Sequence, residues 1–521
     1  MTIRLLSFIG SGLPEAGAAA AGFYTDLDGR KILPVFFAET ASAPKSAKAA
    51  ARPMSSASIP GVTSGSLATT FLRLAESDPD APAVIDGESG AVTSRARLAA
   101  RAEEIRARLL IAGVEPGELV ALQLPNSVDF LATLVAVRSA GATIVPIDRD
   151  TRAGEVETIV THLGARAFVA RSAEGETSVV PLVGRSRIEP GEQVALLKLT
   201  SGSTGLPKGI LTTERNLAAD CRNICATMGI SPADLNLGAI PFSHSYGFSN
   251  LVTPLLLQGT PLVATNLYLP LSILELANRH RCTVLPGIPM MFDHLAQLAE
   301  DDGRFESTRT FISAGAPLGA SVSRRFRERF GNDIHSFYGC SECGGIAYDR
   351  AGASVERGSV GGAMEGVSLT IEPDGRLVVE SDAVARGYYL SGDDENTRFD
   401  AGRYRSDDLA LRNESGEVEL VGRAGDLINT AGKKVNPREI EAVILECHGV
   451  REAKVYGEPA GARGEVVAVA IVADAGVTSA AIRAHCAARL SSWKVPRIVK
   501  LIDKMPLDER GKLRKSELRK L

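Results

Sequence analysis

Helix-like and strand-like hydrophobic patterns alternate along the first two thirds of the chain. Apolar residues recur with helical spacing at 95–112 and at 127–139. Short apolar runs, of a length typical of buried strands, stand at 119–124, 143–147 and 167–170. Strands that alternate with helices predict an α/β domain in which helices flank a parallel sheet.

The same rhythm continues at 283–286 and 311–313, where the apolar residues end in loops that contain Gly and Pro. Loops at the carboxyl ends of parallel strands are where α/β proteins usually bind ligands. Further along, glycines separate alternating segments at 368–371, 376–380 and 417–421. Alternation with a period of two predicts a small antiparallel β unit.

The length of 521 residues is too great for one compact core, so we expect more than one domain. Residues 1–60 form a predicted N-terminal extension and linker of unknown role, with a hairpin around Asp28-Gly29. We predict a large domain at 61–424. A smaller α+β domain follows at 426–521, because the last hundred residues mix helix and strand patterns again.

Composition and charge narrow the classes of function. With 45% hydrophobic and 23% charged residues and a net charge of −4, the chain is globular and has no basic surplus for nucleic acid. Its longest apolar runs, at 131–137 and 466–473, are far shorter than the roughly 20 residues of a membrane-spanning helix. Seven scattered cysteines argue against a secreted disulfide framework. We expect a cytoplasmic protein that acts on small molecules.

One segment carries most of the chemical information. The apolar run 194–199 leads into a loop of small residues that ends at Lys208-Gly209. Glycines let a backbone approach an anion closely, hydroxyl and N–H groups donate to phosphate oxygens, and a lysine neutralises charge. The Walker motif is excluded because Pro207 and Gly209 flank the lysine. The candidate phosphate ligands are Thr200, Ser201, Gly202, Ser203, Thr204, Gly205 and Lys208.

This loop, together with further stretches in a fixed order, resembles the acyl-adenylate-forming superfamily. That superfamily includes acyl-CoA synthetases, peptide-synthetase adenylation domains and beetle luciferases. The further stretches lie at 241–247, 313–318, 338–342, 404–408, 422–441 and 506–512. The likeness spans about residues 65–521 and is greatest to acyl-CoA synthetases. It implies a large α/β domain, a small mobile C-terminal domain, and the use of ATP, Mg²⁺ and coenzyme A.

The resemblance assigns roles in the transfer of the adenylyl group. Lys512 is similar to the catalytic lysine that bridges the substrate carboxylate and phosphate oxygens. Glu342 is similar to the Mg²⁺ ligand, and Ser341 stands where the family usually has Thr and places a hydroxyl near phosphate. Positive charge and fixed donors suit the reaction, because the carboxylate and the ATP phosphate are both anions and must meet while pyrophosphate leaves.

The resemblance also assigns the nucleotide contacts. Asp408 is similar to the carboxylate that accepts hydrogen bonds from both ribose hydroxyls, and Arg423 to a nearby ribose and phosphate contact. The residues that flank the adenine would be Gly315, Ala316, Pro317, Tyr338 and Gly339. This sequence departs from the family at Asp407, where an extra carboxylate adjoins Asp408. That carboxylate either repels phosphate or faces solvent.

His244 lies in a stretch that resembles the lining of the acid pocket in acyl-CoA synthetases. A lone histidine is as often a structural residue, so both interpretations stand. The branch that activates amino acids normally places an Asp in this neighbourhood, and none occurs between Pro241 and Leu251. The pattern therefore disfavours amino acids and leaves aromatic, short, medium and long acids open.

The acceptor of the acyl group is open between coenzyme A and a carrier protein. By resemblance, Gly432, Lys433 and Lys434 are candidates for the thiol step, although the lysines equally suit a solvated face. Gly425 stands at the hinge, where the family commonly has Asp or Lys. A third hypothesis is a nucleotide-binding regulator without catalysis, which the retention of Lys208, Glu342, Asp408 and Lys512 disfavours.

Overall fold

The strands and helices follow the predicted alternation. The computed structural model describes residues 66–184, 188, 193–200, 208–390, 396–430, 433–459, 465–506 and 517, and the backbone alone at 24–25, 31–32, 426, 429, 433 and 434. The predicted strand at 119–124 is observed at Leu119–Gln123, and the predicted helix at 127–139 at Val128–Ser139. Hydrophobic periodicity alone therefore locates these elements to within a residue or two.

The strands of the large domain and of its β unit are β3 (Pro82–Asp86), β4 (Val92–Ser94), β5 (Leu119–Gln123), β6 (Thr143–Pro146), β7 (Ala167–Arg171), β8 (Thr177–Pro181), β9 (Val194–Thr200), β10 (Lys208–Thr213), β11 (Asn236–Gly238), β12 (Leu262–Ala264), β13 (Val284–Gly287), β14 (Thr310–Ser313), β15 (Ile334–Cys340), β16 (Gly344–Tyr348), β17 (Gly362–Ala363), β18 (Ser368–Ile371), β19 (Arg376–Glu380), β20 (Tyr388–Tyr389), β21 (Phe399–Asp400), β22 (Arg403–Arg412) and β23 (Val418–Arg423). Before them come β1 (Tyr24–Thr25) and β2 (Lys31–Ile32). After them come β24 (Ile428–Thr430), β25 (Lys433–Val435), β26 (Val450–Pro459), β27 (Glu465–Ala473) and β28 (Ile498–Leu501).

The helices are α1 (Leu67–Ser77), α2 (Arg95–Ile111), α3 (Val128–Ser139), α4 (Ala153–Leu163), α5 (Glu214–Met228), α6 (Ser245–Gly247), α7 (Pro270–Arg279), α8 (Pro289–Leu295), α9 (Ala320–Phe330), α10 (Pro437–Leu445) and α11 (Ser479–Ala487). Two π-helical turns, at Phe248–Val252 and Pro254–Gln258, continue from α6. None of the helices that the structure describes combines the length and apolar character that a bilayer crossing requires.

Two large sheets form the body of the described N-terminal part. The first has the order β20-β10-β9-β6-β5-β7-β8, with a parallel centre from β9 to β7. The second has the order β17-β16-β15-β14-β13-β11-β12-β3-β4, with a parallel centre from β15 to β3. Antiparallel strands complete both sheets at their edges. The parallel centres confirm the predicted fold class.

Helix α3 lies between the sheets and is apolar on every side. All its residues from Phe130 to Val137 are buried, and the Phe130 ring meets the Phe242 ring edge-on at 5.7 Å. A helix without a polar face is stable only when it is covered all round. It therefore joins the cores of the two sheets into one cluster, which includes Val120 and Ile312.

The predicted antiparallel β unit is also present. Strands β18, β19, β22 and β21 form a sheet in that order, and β23 pairs with β22. Along β22 the residues Tyr404, Ser406, Asp408 and Ala410 are buried, while those between them are more exposed. Because side chains alternate across a strand, Asp408 and Asp407 point to opposite faces.

The C-terminal part is an α+β unit, as predicted. Strand β27 pairs antiparallel with β26 and parallel with β28, and helices α10 and α11 pack against this sheet. The domain boundaries proposed from the sequence stay predictions. At the other end of the chain, β1 pairs antiparallel with β2, and the predicted turn residues Asp28-Gly29 between them lie outside the described residues. The rest of residues 1–60 lies outside the described residues.

A carboxylate ties the β unit to the segment before it and gives a first testable prediction. Arg357 donates to Glu417 in a two-pronged pair of 2.5 and 3.1 Å, and Ser359 adds a hydrogen bond of 2.5 Å. The Arg357 hydrogen bonds, with those of Ser359 and Asn413, lower the pKa of Glu417 from 4.5 to about 2. A depressed folded-state pKa stabilises the fold above the unfolded-state value, and this stability is lost as the pH falls through the folded-state value.

We expect Glu417→Gln to reduce the free energy of unfolding by about 1 kcal/mol near neutral pH, because Arg357 is partly exposed and the pair is screened. The difference from wild type should shrink as the pH falls from about 4.5 towards about 2. Urea unfolding at both ends of this range measures it. The exposed Glu414, in the adjoining turn, is the control as Glu414→Gln. A difference that stays constant with pH would contradict the role of the ionised carboxylate.

Candidate active site

Asp408, itself buried, sits at the centre of a hydrogen-bonded group. Its Oδ2 accepts from the Tyr338 hydroxyl at 2.6 Å, and its Oδ1 accepts from Arg423 Nε at 2.7 Å. The pairing of β22 with β23 puts Asp408 directly opposite Arg423. Burial, and then the Asp408 charge, raise the pKa of Tyr338 well above its usual value, so its hydroxyl donates to the carboxylate. The structure thus brings together three of the predicted nucleotide contacts.

The neighbouring Asp407 is bound on the other face of the strand. Its two oxygens accept from Arg376 Nη1 and Arg398 Nη1, each at 2.5 Å. Burial acts to raise the pKa of Asp407, but the two arginines more than offset it, and the pKa lies below its usual value. The extra carboxylate therefore faces away from Asp408, and two arginines balance its charge.

Glu342 lies in the turn of the hairpin formed by β15 and β16. Its Oε1 accepts from the Tyr388 hydroxyl at 3.0 Å. The neighbouring Ser341 hydroxyl is 2.8 Å from the hydroxyl of Ser245, which follows His244 at the start of α6. The hairpin that carries Tyr338 therefore also carries the predicted Mg²⁺ ligand and links it to the predicted acid pocket.

Lys208 begins strand β10, directly after the predicted phosphate loop. Its Nζ lies 5.9 Å from the centre of the Tyr388 ring. Because the same tyrosine donates to Glu342, the predicted phosphate cation and the predicted metal ligand meet around one ring. Thr200 Oγ1, on the other side of the loop, is 3.5 Å from the Lys208 carbonyl oxygen.

The predicted adenine contacts lie at exposed ends of neighbouring strands. Gly315, Ala316 and Pro317 follow the buried β14 and are themselves exposed. Gly315 has φ +84°, a conformation that other residues rarely adopt. At Gly339 a Cβ atom would stand 2.5 Å from the carbonyl oxygen of Gly344, so only glycine permits the hairpin to close there. Glycine at both positions thus serves the shape of the backbone.

A carboxylate that sequence reasoning missed lies next to His244. Its Nε2 lies 2.6 Å from Asp148 Oδ2, and the side chains are 36% and 15% exposed. Asp148 follows β6, in the other sheet, so nothing near His244 in the sequence signals the pair. An acidic side chain does reach the segment 241–251, and it is paired with the histidine.

Two further buried side chains, also missed from the sequence, support the site loops. Asn126 Nδ2 donates to the carbonyls of Gly238, Ile240 and Thr265, and its Oδ1 accepts from the amide of Phe242. It thereby orders the segment that leads to His244.

Asp220, on α5, supports the Glu342 hairpin from behind. Its Oδ1 accepts from the Gly345 amide at 2.9 Å and its Oδ2 from the Ser249 hydroxyl at 2.6 Å. Both supporting residues satisfy buried polar groups that would otherwise destabilise the loops.

Several predicted residues fall outside the described part of the chain. These are Ser201, Gly202, Ser203, Thr204, Gly205, Gly432 and Lys512, together with the side chains of Lys433 and Lys434. Gly425 is described: it is exposed in the 3₁₀ turn Ala424–Asp426, and a Cβ atom there would meet nothing within 4 Å. The conformation seen here therefore does not itself require glycine at the predicted hinge.

The residues around Glu342 fit Mg²⁺ bound together with ATP. A carboxylate beside a serine hydroxyl supplies oxygen donors, which this cation prefers. Among the described residues, no group of three or more His, Cys, Asp or Glu is placed to hold a metal alone. Mg²⁺ is usually bound by one or two carboxylates and by the substrate phosphates. The donor set thus suits a metal that arrives with the nucleotide.

The fold and these site groups define the class of adenylate-forming enzymes. ATP-bound MatB from Rhodopseudomonas palustris has a TM-score of 0.77 and 27% identity, over 87% of this chain and 98% of that chain. The o-succinylbenzoate coenzyme A synthetase MenE from Bacillus subtilis, in complex with AMP, shares the fold with a TM-score of 0.75 and 23% identity over 86% and 97% of the two chains.

The sequence comparisons agree. The family model described as AMP-binding enzyme matches residues 71–389, and the AMP-binding enzyme C-terminal domain matches residues 439–512. The chain belongs to the AMP-binding enzyme family, which confirms the resemblance found in the sequence. Members of this family that are CoA ligases use ATP, Mg²⁺ and coenzyme A, as predicted.

Similar curated proteins are feruloyl-CoA synthase of an Amycolatopsis species and medium-chain fatty-acid–CoA ligase of Escherichia coli. The first is 29% identical over 86% of this chain and 97% of its own length. The second is 26% identical over 87% of this chain and 90% of its own length.

Proposed function

We propose that this chain joins a carboxylic acid to coenzyme A in two steps. In the first, a carboxylate oxygen attacks the α-phosphorus of ATP, which forms an acyl-adenylate and releases pyrophosphate. In the second, the coenzyme A thiol attacks the acyl carbonyl, which forms the thioester and releases AMP. The names of the relatives, which join different acids to coenzyme A, support this reaction.

The observation that carries the proposal is that one hairpin contacts the predicted ribose acceptor Asp408 and also carries the predicted metal ligand Glu342. Tyr338 and Glu342 belong to the same β15–β16 hairpin: the first binds Asp408, and the second is bound by Tyr388. With Asp408 bound to this hairpin through Tyr338 and Glu342 carried on it, the distance between the ribose acceptor and the metal ligand is set. Fixed donors and charges of this kind act on the transition state without having to reorganise.

In the first step, residues of the large domain and one lysine of the C-terminal tail have separate roles. Asp408 anchors the ribose, while Lys208, Ser341 and the loop 200–205 bind phosphate oxygens. Lys512 carries the charge that brings the carboxylate and the α-phosphate together. When bound, Mg²⁺ would neutralise charge on the phosphates as pyrophosphate departs. The paired His244 borders the acid and helps to exclude water.

The second step requires the small domain to change its position. We assign the large domain to 61–424 and the mobile domain to 426–521, with Gly425 as the hinge between them. A Cβ atom at Gly425 would meet no atom within 4 Å. This open space beside the backbone supports a change of backbone angles at the hinge. Rotation of the small domain about this hinge then removes Lys512 from the phosphates. It also admits the thiol near Gly432, Lys433 and Lys434.

The experiment is an acid-dependent exchange of pyrophosphate into ATP, screened over aliphatic, aryl, hydroxy and amino acids. Active acids are then incubated with ATP and coenzyme A, and the products are identified by mass. A thioester of coenzyme A is the expected result. Exchange without this thioester would indicate that the acyl group is passed to a carrier-protein thiol instead of coenzyme A. Absence of exchange with every acid, while ATP still binds, would overturn the proposal in favour of a nucleotide-binding regulator.

A further inference from the structure

Two adjacent tyrosines on the edge strand β20 point to opposite faces of the first sheet. The Tyr388 hydroxyl donates to Glu342 Oε1 at 3.0 Å, whereas the Tyr389 hydroxyl donates to the carbonyl of Leu163 at 3.3 Å. Strand β20 is fixed by its pairing with β10, in which Ile210 lies opposite Tyr388. The two hydroxyls thus belong to the same strand but serve different surroundings.

Packing holds the Tyr388 ring in place. Its backbone amide donates to Asn396 Oδ1 at 2.7 Å, and its ring meets the Phe399 ring edge-on at 5.2 Å. Phe399 in turn packs against Tyr404 at 4.9 Å. The Tyr388 hydroxyl is the donor, and Glu342 Oε1 is the acceptor. The hydroxyl is therefore presented to Glu342 by a fixed scaffold.

Without a partner, a glutamate side chain at a turn would sample several rotamers, and binding a cation would have to select one. Among the described residues, the Glu342 side chain accepts a hydrogen bond at Oε1 alone. The arrangement fixes one carboxylate oxygen and leaves the other to a cation. Partners of this kind around metal ligands orient them and tune their affinity.

We propose that Tyr388 is a positioning residue that holds Glu342 ready for the divalent cation that accompanies ATP. The proposal rests on the proposed function, in which Glu342 is the metal ligand. It adds a contact from the edge strand β20, whose ring also lies beside Lys208. One side chain thereby sets the geometry of the cation site and borders the lysine that faces the phosphates.

The test measures the affinity of the full chain for Mn²⁺ in the presence of ATP, by calorimetry and by the electron paramagnetic resonance signal of free Mn²⁺. We expect Tyr388→Phe to weaken Mn²⁺ binding by about 10- to 100-fold, the usual effect of losing such a partner. Tyr389→Phe, which removes the same hydroxyl one residue away, is the matched control and should leave the affinity unchanged. In steady-state assays, Tyr388→Phe should raise the KM for Mg²⁺ and leave kcat at saturating Mg²⁺ near the wild-type value.

Glu342→Gln separates this proposal from the proposed function. If Glu342→Gln weakens Mn²⁺ binding but Tyr388→Phe leaves it unchanged or tighter, the positioning role is overturned and the proposed function stands. If Glu342→Gln has no effect, the metal role of Glu342 itself is wrong, and the positioning role is overturned with it.

A double-mutant cycle gives a second readout that tolerates a loss of stability in one variant. In Glu342→Asp the carboxylate is shorter and withdrawn from the hydroxyl, so adding Tyr388→Phe should weaken Mn²⁺ binding far less than it does in wild type. Additive effects of the two substitutions would mean that the residues act independently, and would overturn the proposal.

Discussion

Lys512→Ala is expected to lower the rate of acyl-adenylate formation by about 100- to 1,000-fold, the usual cost of removing one group that stabilises charge in a transition state. Conversion of preformed acyl-adenylate to the thioester should continue. In that step AMP is already attached as the leaving group, and the attacking thiol does not have to approach a triphosphate as a carboxylate does. Pyrophosphate exchange measures the first half-reaction. Chemically made acyl-adenylate, supplied with coenzyme A, measures the second.

The control for this result is Lys515→Ala, which removes another cation of the same tail. It should leave both half-reactions unchanged, because the resemblance assigns no role to that residue. Equal loss of both half-reactions in Lys512→Ala would contradict a role confined to adenylation and would indicate a general effect on the small domain.

Asp408→Asn is expected to weaken ATP binding by about 10- to 100-fold. A carboxylate offers about four acceptor positions, and Tyr338 and Arg423 occupy two of them. The two that are left match the two ribose hydroxyls. An amide keeps one acceptor oxygen and places an NH₂ group against a donor, so hydrogen bonds to charge worth about 1.5–3 kcal/mol each are lost. Titration with ATP, followed by calorimetry, measures the effect.

Asp407→Asn is the matched control, because it makes the same chemical change on the opposite face of the same strand. Its partners are Arg376 and Arg398, which lie outside the Asp408 group. ATP affinity should stay at the wild-type value. If the two substitutions weakened ATP binding equally, the ribose role of Asp408 would be wrong. Thermal unfolding of both variants should be recorded, because Asp408 is buried and its loss leaves Arg423 without that carboxylate.

Part of the site was accessible from the sequence because it is local in the chain or lies in a fixed register. Tyr338, Ser341 and Glu342 share one hairpin, and Asp408 and Arg423 face each other across the β22–β23 pair. Short motifs preserve such relations, since a hairpin of given length brings the same positions together. The motifs therefore indicated which of these residues lie together, and their common role stays a prediction.

Other contacts join residues that are distant in the chain, and no local pattern reports them. Asp148 reaches His244 from the other large sheet, and Tyr388 reaches Glu342 from an edge strand. Asn126, just before α3, and Asp220, within α5, hold loops that are distant in the chain. A polar residue in or beside a helix is common in any sequence, so only the packing of the elements shows which loop it supports.

The amino-acid sequence by itself determined the alternation of strands and helices, the small antiparallel unit, and the motifs that we propose bind the nucleotide. These follow from hydrophobic periodicity and from residue chemistry within short stretches of chain. The tertiary structure alone decided that Asp407 faces two arginines, that His244 lies beside Asp148, and that Tyr388 donates a hydrogen bond to Glu342. Each of these depends on which face of one element meets another, and that is set when the two sheets and the β unit pack together.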